Sequence, residues 1–364
     1  MNYSKECLNA KLNKLGESFT NVLYEEDETF LENMKTKSLA QDDIRRYQFW
    51  EWTQGVGLFG FWKLFKETGN REYLDILTRY YDRQMGIGFP AKNVNTVTPL
   101  LAMCQVGIYL QNQAYLDVCG EWAQWIMESF PRTKEGGFQH ITSDTLNDSE
   151  LWDDTLYMTV LFLALYGKHA GRQDYIDEAT YQFLLHIKYL ADKETGLWYH
   201  GWSFNEKGNF AKALWGRGNS WITMAIPEFL DMVEIGASDK RFLTEAYKRQ
   251  CEALKEYQGE SGMWHTLVDD PSSYEESSAT CGFAYGILKG VHMGILDREY
   301  AAVSLKALEP MLKNISDEGV VNQVSYGTPM GRVSKDFYKE IPIKSMPYGQ
   351  ALAMLFIMEV LKDM

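Results

Sequence analysis

Two adjacent carboxylates, Asp153 and Asp154, stand in the stretch Trp152-Asp153-Asp154-Thr155-Leu156-Tyr157-Met158. From Val160 to Leu165 every position behind them is apolar, which predicts a helix buried on all sides, running to about Ala170, with the acidic pair in its opening turn. Neighbouring helix positions point about 100° apart, so the two carboxylates cannot share one task. One of them can simply cap the helix and suit its dipole. The alternative is that one faces an interior space as a proton donor, with its pKa raised by burial.

A lone acid needs groups that hold the substrate. In Trp215-Gly216-Arg217-Gly218-Asn219-Ser220-Trp221, Arg217 offers a planar fork able to grip a carboxylate through two hydrogen bonds, and Trp215 and Trp221 flank it. Trp52, Asn95, His140 and His200 are further candidate substrate contacts; His200 lies in the aromatic run Trp198-Tyr199-His200-Gly201-Trp202. Each also has a structural reading, because a Trp in an apolar helix is commonly core and a His can serve one buried hydrogen bond. Glu51 and Glu276 are the candidates for a second carboxylate if the chemistry requires two. His169, His186 and His292 read as surface or core residues.

Composition narrows the ligand. Aromatic residues make up 14% of the chain, with 11 Trp and 22 Tyr, a usage suited to clefts that stack sugar rings. A net charge of -14 excludes nucleic acid as a partner and requires that any anionic ligand meet locally placed positive groups. The opening Met1-Asn2-Tyr3-Ser4-Lys5-Glu6-Cys7 has no apolar core, and no apolar run is long enough to span a membrane, so no membrane association is expected. Cys7, Cys104, Cys119, Cys251 and Cys281 are scattered and odd in number, which fits a reducing, cytoplasmic setting. The six His residues show no ligand spacing, so neither a metal nor a cofactor is expected.

The elements that must position these residues show up as a repeat. A polar turn followed by an aromatic residue recurs at Gly69 to Leu74, Gln111 to Leu116, Gly171 to Ile176, Ser238 to Leu243 and Leu296 to Tyr300. Each joins an apolar helix to an amphipathic one, so the first of each pair is enclosed and the second faces water. With a helix before about Met34 and a last apolar one from about Tyr348 to Leu361, some six hairpins result. Closed in a ring they make an all-α (α/α)6 barrel; an open solenoid is the alternative. Strand-like inserts fall near Gly137 to Ile141, Leu197 to Phe204, Met263 to Val268 and Val320 to Ser325. No linker divides the chain, so one domain, 1–364, is expected. Parallel inner helices would bring all the noted clusters to one mouth.

Trp152 to Met158, Tyr199-His200-Gly201-Trp202, Trp215 to Trp221 and the stretch from Ser277 to Gly290 together resemble the unsaturated glucuronyl and rhamnogalacturonyl hydrolases. The resemblance runs from about Trp50 to the C-terminus and is closer to glycoside hydrolase family 105 than to family 88. It implies an (α/α)6 barrel and a small oligosaccharide substrate that ends in a 4,5-unsaturated uronic acid, as pectin lyases leave behind. It implies also that one Asp protonates C4 of the vinyl ether and that water adds at C5. By motif that donor is Asp154, with Asp153 as cap or support. Several relatives carry Asp where this chain has Asn95, which cannot take a proton. The expected state is a monomer or weak homodimer. Rival readings are an inverting glycosidase, an epimerase with paired His, and a non-catalytic helical-repeat binding module.

Overall fold

The computed structural model describes residues 3–24, 26, 28, 31–32 and 44–364. The N-terminal helix expected before about Met34 is α1 (Lys5–Val22), and Met34 itself lies outside the described residues. After the short α2 (Ile44–Tyr47) come α3 (Trp52–Thr68) with α4 (Arg71–Ile87), then a single turn, α5 (Val94–Val97), ahead of α6 (Pro99–Leu110) with α7 (Gln113–Glu128). Next are α8 (Leu161–Ala170) with α9 (Gln173–Leu190), and α10 (Gly216–Met232) with α11 (Ala237–Glu256). The fifth inner helix, α12 (Ser277–His292), is backed by two pieces, α13 (Tyr300–Lys306) and α14 (Leu308–Asn314), and α15 (Pro347–Leu361) packs on α1.

Each of α3, α6, α8, α10 and α12 touches the next, and α15 touches both α12 and α3. The ring is therefore closed, and the chain is an (α/α)6 barrel rather than a solenoid. Inner helices are enclosed because they carry apolar or small residues on every face, as in α15, buried from Tyr348 to Val360. Among the described residues no helix is long and apolar enough to cross a membrane.

The turns follow from local chemistry. Gly69 ends α3 at φ 69°, a left-handed conformation that glycine adopts without strain, and Asn70 caps α4 by accepting from the Glu72 amide. The aromatics that follow, Tyr73, Tyr115 and Tyr175, are buried against the core. The fourth copy differs: Phe242 is 52% exposed, and Leu243 takes the buried place.

The expected helix start at Trp152 is corrected. Residues Glu150–Trp152 form a strand antiparallel to Gly201–Ser203, with Trp152 opposite Gly201, and the Asp153 amide donates to the His200 carbonyl at 2.9 Å. Backbone committed to that ladder cannot also wind, so helix begins at Thr155, and its first turn, Leu156–Val160, is a π-helix. Such turns recur at functional sites. The other expected inserts are slighter. Phe138 makes one bridge with Arg132, His265 one with Glu275, and Val324–Ser325 pairs with Ile343–Lys344.

Candidate active site

The inner helices begin at one end of the barrel, around a cavity of about 690 Å³. Trp52, Asn95, His140, Asp154, Trp215, Arg217 and Trp221 all line it. His200 does not, being 2% exposed and packed behind the wall.

The two aspartates part company here. Asp154 lines the cavity with its side chain 17% exposed, while Asp153 is fully buried. Burial lifts Asp154 to about 7, against its own peptide N–H, the Arg217 charge and the Thr155 N–H, all of which favour the ionised form. Burial, and the Asp154 carboxylate beside it, push Asp153 well above the usual carboxylate range. Neither Asp153 oxygen finds a hydrogen-bond partner, so it is not a conventional cap.

His140 stacks on Trp152 with ring centres 4.3 Å apart, and its Nδ1 lies 2.8 Å from Thr155 Oγ1 and 3.3 Å from Asp154 Oδ1. Burial, with His186 nearby, drives its pKa down to about 3, so the ring beside the acid is a neutral dipole rather than an ion-pair partner. His200 meets the same Trp152 ring edge-on at 5.0 Å, and its Nδ1 is 2.6 Å from the Tyr338 hydroxyl. The two histidines, dispersed in sequence, thus converge on one indole, but only His140 reaches the cavity. Asn219 tethers the hairpin bearing His200, donating to the Trp198 carbonyl and accepting from its amide, both at 2.7 Å.

Arg217 lies sandwiched 4.7 Å from the rings of Trp215 and Tyr348. Its fork is engaged with the chain itself. Nη1 donates to the Ser325 carbonyl at 2.9 Å and hydroxyl at 2.6 Å, and Nη2 to the Tyr326 carbonyl at 3.2 Å and Thr328 hydroxyl at 2.9 Å. Arg217 therefore brings positive charge to the cavity while clamping the segment that roofs it. Glu276 grips the same segment, accepting from the Ser325 amide at 2.8 Å and capping α12 through the Ala279 amide. That commitment takes it out of contention as a cavity carboxylate.

Two parts of the wall escaped the sequence. One is the loop from Thr142 to Asn147; the other is the roof, Tyr326 to Met330 with Arg332. Arg332 pairs with both oxygens of Glu150, at 2.6 and 3.1 Å, and the second of these also accepts from the Trp152 indole at 2.9 Å. The only signal was the turn-forming Gly327-Thr328-Pro329, which marks a loop but not its destination.

A closed ring of helix pairs whose mouth holds acids among indoles defines a sugar-processing enzyme of the (α/α)6 class. The chain belongs to Glycosyl Hydrolase Family 88, whose family model matches residues 25–364, and it is a glycoside hydrolase by that membership. It is 31% identical over 316 residues to an unsaturated rhamnogalacturonyl hydrolase of Bacillus subtilis, covering 86% of this chain and 90% of that one. Crystal structures from Salmonella enterica and Klebsiella pneumoniae, each described as a possible member of family 105, are each 44% identical to it. Their TM-scores are 0.91 and 0.93; all of this chain is covered, with 96% and 95% of theirs.

Proposed function

We propose that this enzyme removes 4,5-unsaturated galacturonyl or glucuronyl residues from the non-reducing end of short oligosaccharides, such as the unsaturated rhamnogalacturonan disaccharide. The observation that carries this reading is the split of the aspartate pair, with Asp154 alone open to an aromatic-walled cavity and held near 7 by burial. Such an acid is half protonated near neutrality, as protonation of a vinyl ether requires. Asp154 donates to C4, water adds at C5, and the hemiketal opens to part the sugars. Trp52, Trp215 and Trp221 supply stacking faces, and Asn95 and His140 supply polar contacts. His200 acts from behind the wall, by fixing Trp152.

We read 1–364 as one catalytic domain that works as a monomer or weak homodimer. A cytoplasmic setting agrees with five free cysteines. Neither a metal nor a cofactor has a part in this chemistry. The test is turnover of an unsaturated disaccharide, followed by loss of the ultraviolet absorbance of its conjugated double bond. Asp154→Asn should lower kcat roughly 100- to 10 000-fold. Near-native activity of that variant, or no turnover by the native enzyme, would end the reading.

A further inference from the structure

Glu51 and Asp144 are further carboxyls on the cavity wall; Glu51 is only 6% exposed, and the chemistry so far gives it no work. It precedes α3 as its N-cap in a reciprocal capping box: its side chain accepts from the Trp52 amide at 3.4 Å and from the Gln54 amide, while Gln54 Oε1 accepts from the Glu51 amide at 3.1 Å, a structural role that any catalytic one must share. Its other oxygen accepts from the Ser143 hydroxyl, which itself accepts from Asn93 Nδ2 at 3.1 Å. The Asn95 side chain, on the same cavity wall, favours the ionised form of Glu51. No Lys or Arg among the described residues forms an ion pair with it.

The placement of Asn95 links the two carboxyls. Its turn, α5, packs against both α3 and the π-helical turn behind Asp154. Glu51, Asn95 and Asp154 thus line one cavity from neighbouring elements. Burial lifts Glu51 to about 7, with Ser143 and Trp52 opposing and Asp144 adding to the rise, so it can gain and lose a proton near neutrality.

We propose that Glu51 holds the attacking water and takes its proton, so that hydration in this enzyme uses two carboxyls, Asp154 as acid and Glu51 as base. This rests on the function proposed above. The O–H bond of Asp154 breaks as the π pair forms the C4–H bond, and the ring oxygen shares the positive charge left at C5. Water oxygen bonds to C5 while its O–H bond breaks toward the Glu51 carboxylate. In the hemiketal, the C5 hydroxyl proton passes to the ring oxygen as the bond from C5 to that oxygen breaks. A ketone and an open hemiacetal result, and the hemiacetal releases the second sugar. Proton exchange with solvent then restores an acidic Asp154 and an ionised Glu51.

The experiment compares native enzyme, Glu51→Gln and Glu51→Ala on the unsaturated disaccharide, with kcat, KM and Tm read across pH. Gln keeps an oxygen for Ser143 and Trp52 but cannot take a proton. We expect kcat to fall roughly 100-fold or more at little changed KM, with loss of the acid limb of kcat/KM. Added formate should restore part of the Glu51→Ala rate. Near-native kcat in Glu51→Gln, or a loss that tracks Tm and leaves the acid limb in place, would overturn the proposal and reduce Glu51 to a cap. Native enzyme inactive on the disaccharide would instead reject the underlying function.

Discussion

The carboxyl group of Asp153 rests on the bare Cα of Gly218, in the first turn of α10, so closely that a methyl group there would collide with both of its oxygens. A buried acid with no hydrogen-bond partner thus sits against a helix N-terminus, the end at which the helix dipole tolerates negative charge. Glycine at 218 is required for the close approach, not for a special backbone angle. The contact joins the turn carrying the aspartates to the helix carrying Arg217.

Gly218→Ala should therefore act on the aspartate pair. Overpacking of this kind costs about 1 to 3 kcal/mol. A displacement near 1 Å at Asp154 would lower kcat by up to roughly 100-fold. Melting temperature and kcat measured together check this, and a variant that melts lower with native kcat would show that Asp153 supports only stability.

The pH dependence follows from raised carboxyls. Asp154 must enter the reaction protonated, so kcat/KM should fall as pH rises through about 7. Its folded pKa lies above the unfolded value, so its stabilising contribution is complete below about 4 and lost as pH climbs through about 7. The melting temperature of Asp154→Asn should vary less with pH over that window than that of the native enzyme. Equal slopes would contradict the burial argument.

Arg217→Lys tests the clamp. A lysine cannot reproduce four contacts from a planar fork, and hydrogen bonds to charged groups are worth about 1.5 to 3 kcal/mol each. The expected result is faster proteolytic cutting within Tyr326 to Arg332, together with a raised KM. Raised KM with unaltered cutting would assign Arg217 to the substrate alone.

Glu228→Gln probes the opposite end of the barrel. There Glu228 lies buried between Lys63, at 3.0 Å, and Lys289, at 3.4 Å, and also accepts from the Tyr285 hydroxyl. Burial favours the neutral acid, but the two lysines hold it down at about 2. Its contribution is therefore present above about 4 and lost as pH falls toward 2. Removing the charge leaves the Lys63 and Lys289 ammonium groups without their shared partner, although Asp231 still pairs with Lys289 at 2.8 Å, at a cost of up to about 3 kcal/mol. Tm should drop markedly while kcat, measured well below melting, stays native; an unchanged Tm would refute the account.

Much of this protein was legible in its residues. Apolar runs at Val160 to Leu165 and Tyr348 to Leu361 can only be enclosed, and polar turns followed by aromatics punctuate the helix pairs. Trp52, Gly216, Ser277 and Pro347 open inner helices close to where the clusters pointed. These features are local, set by side-chain polarity and turn chemistry within a few residues. The strand at Glu150–Trp152 was not legible, because its partner lies some fifty residues on and three residues of ladder carry no periodicity.

Residue order alone determined that the chain would form successive helix pairs and that an acid, a guanidinium and indoles would stand near helix starts. Closure of those pairs into a ring was decided by the contacts of the last helix with the first inner one. Tertiary structure alone decided which of two adjacent aspartates meets the cavity, that His200 stands behind the wall, and that Glu51 faces inward. It also turned the Arg217 fork onto a segment more than a hundred residues away. The reason is that exposure, pKa and hydrogen-bond partners at this mouth are set by contacts between distant segments, and no local pattern encodes them.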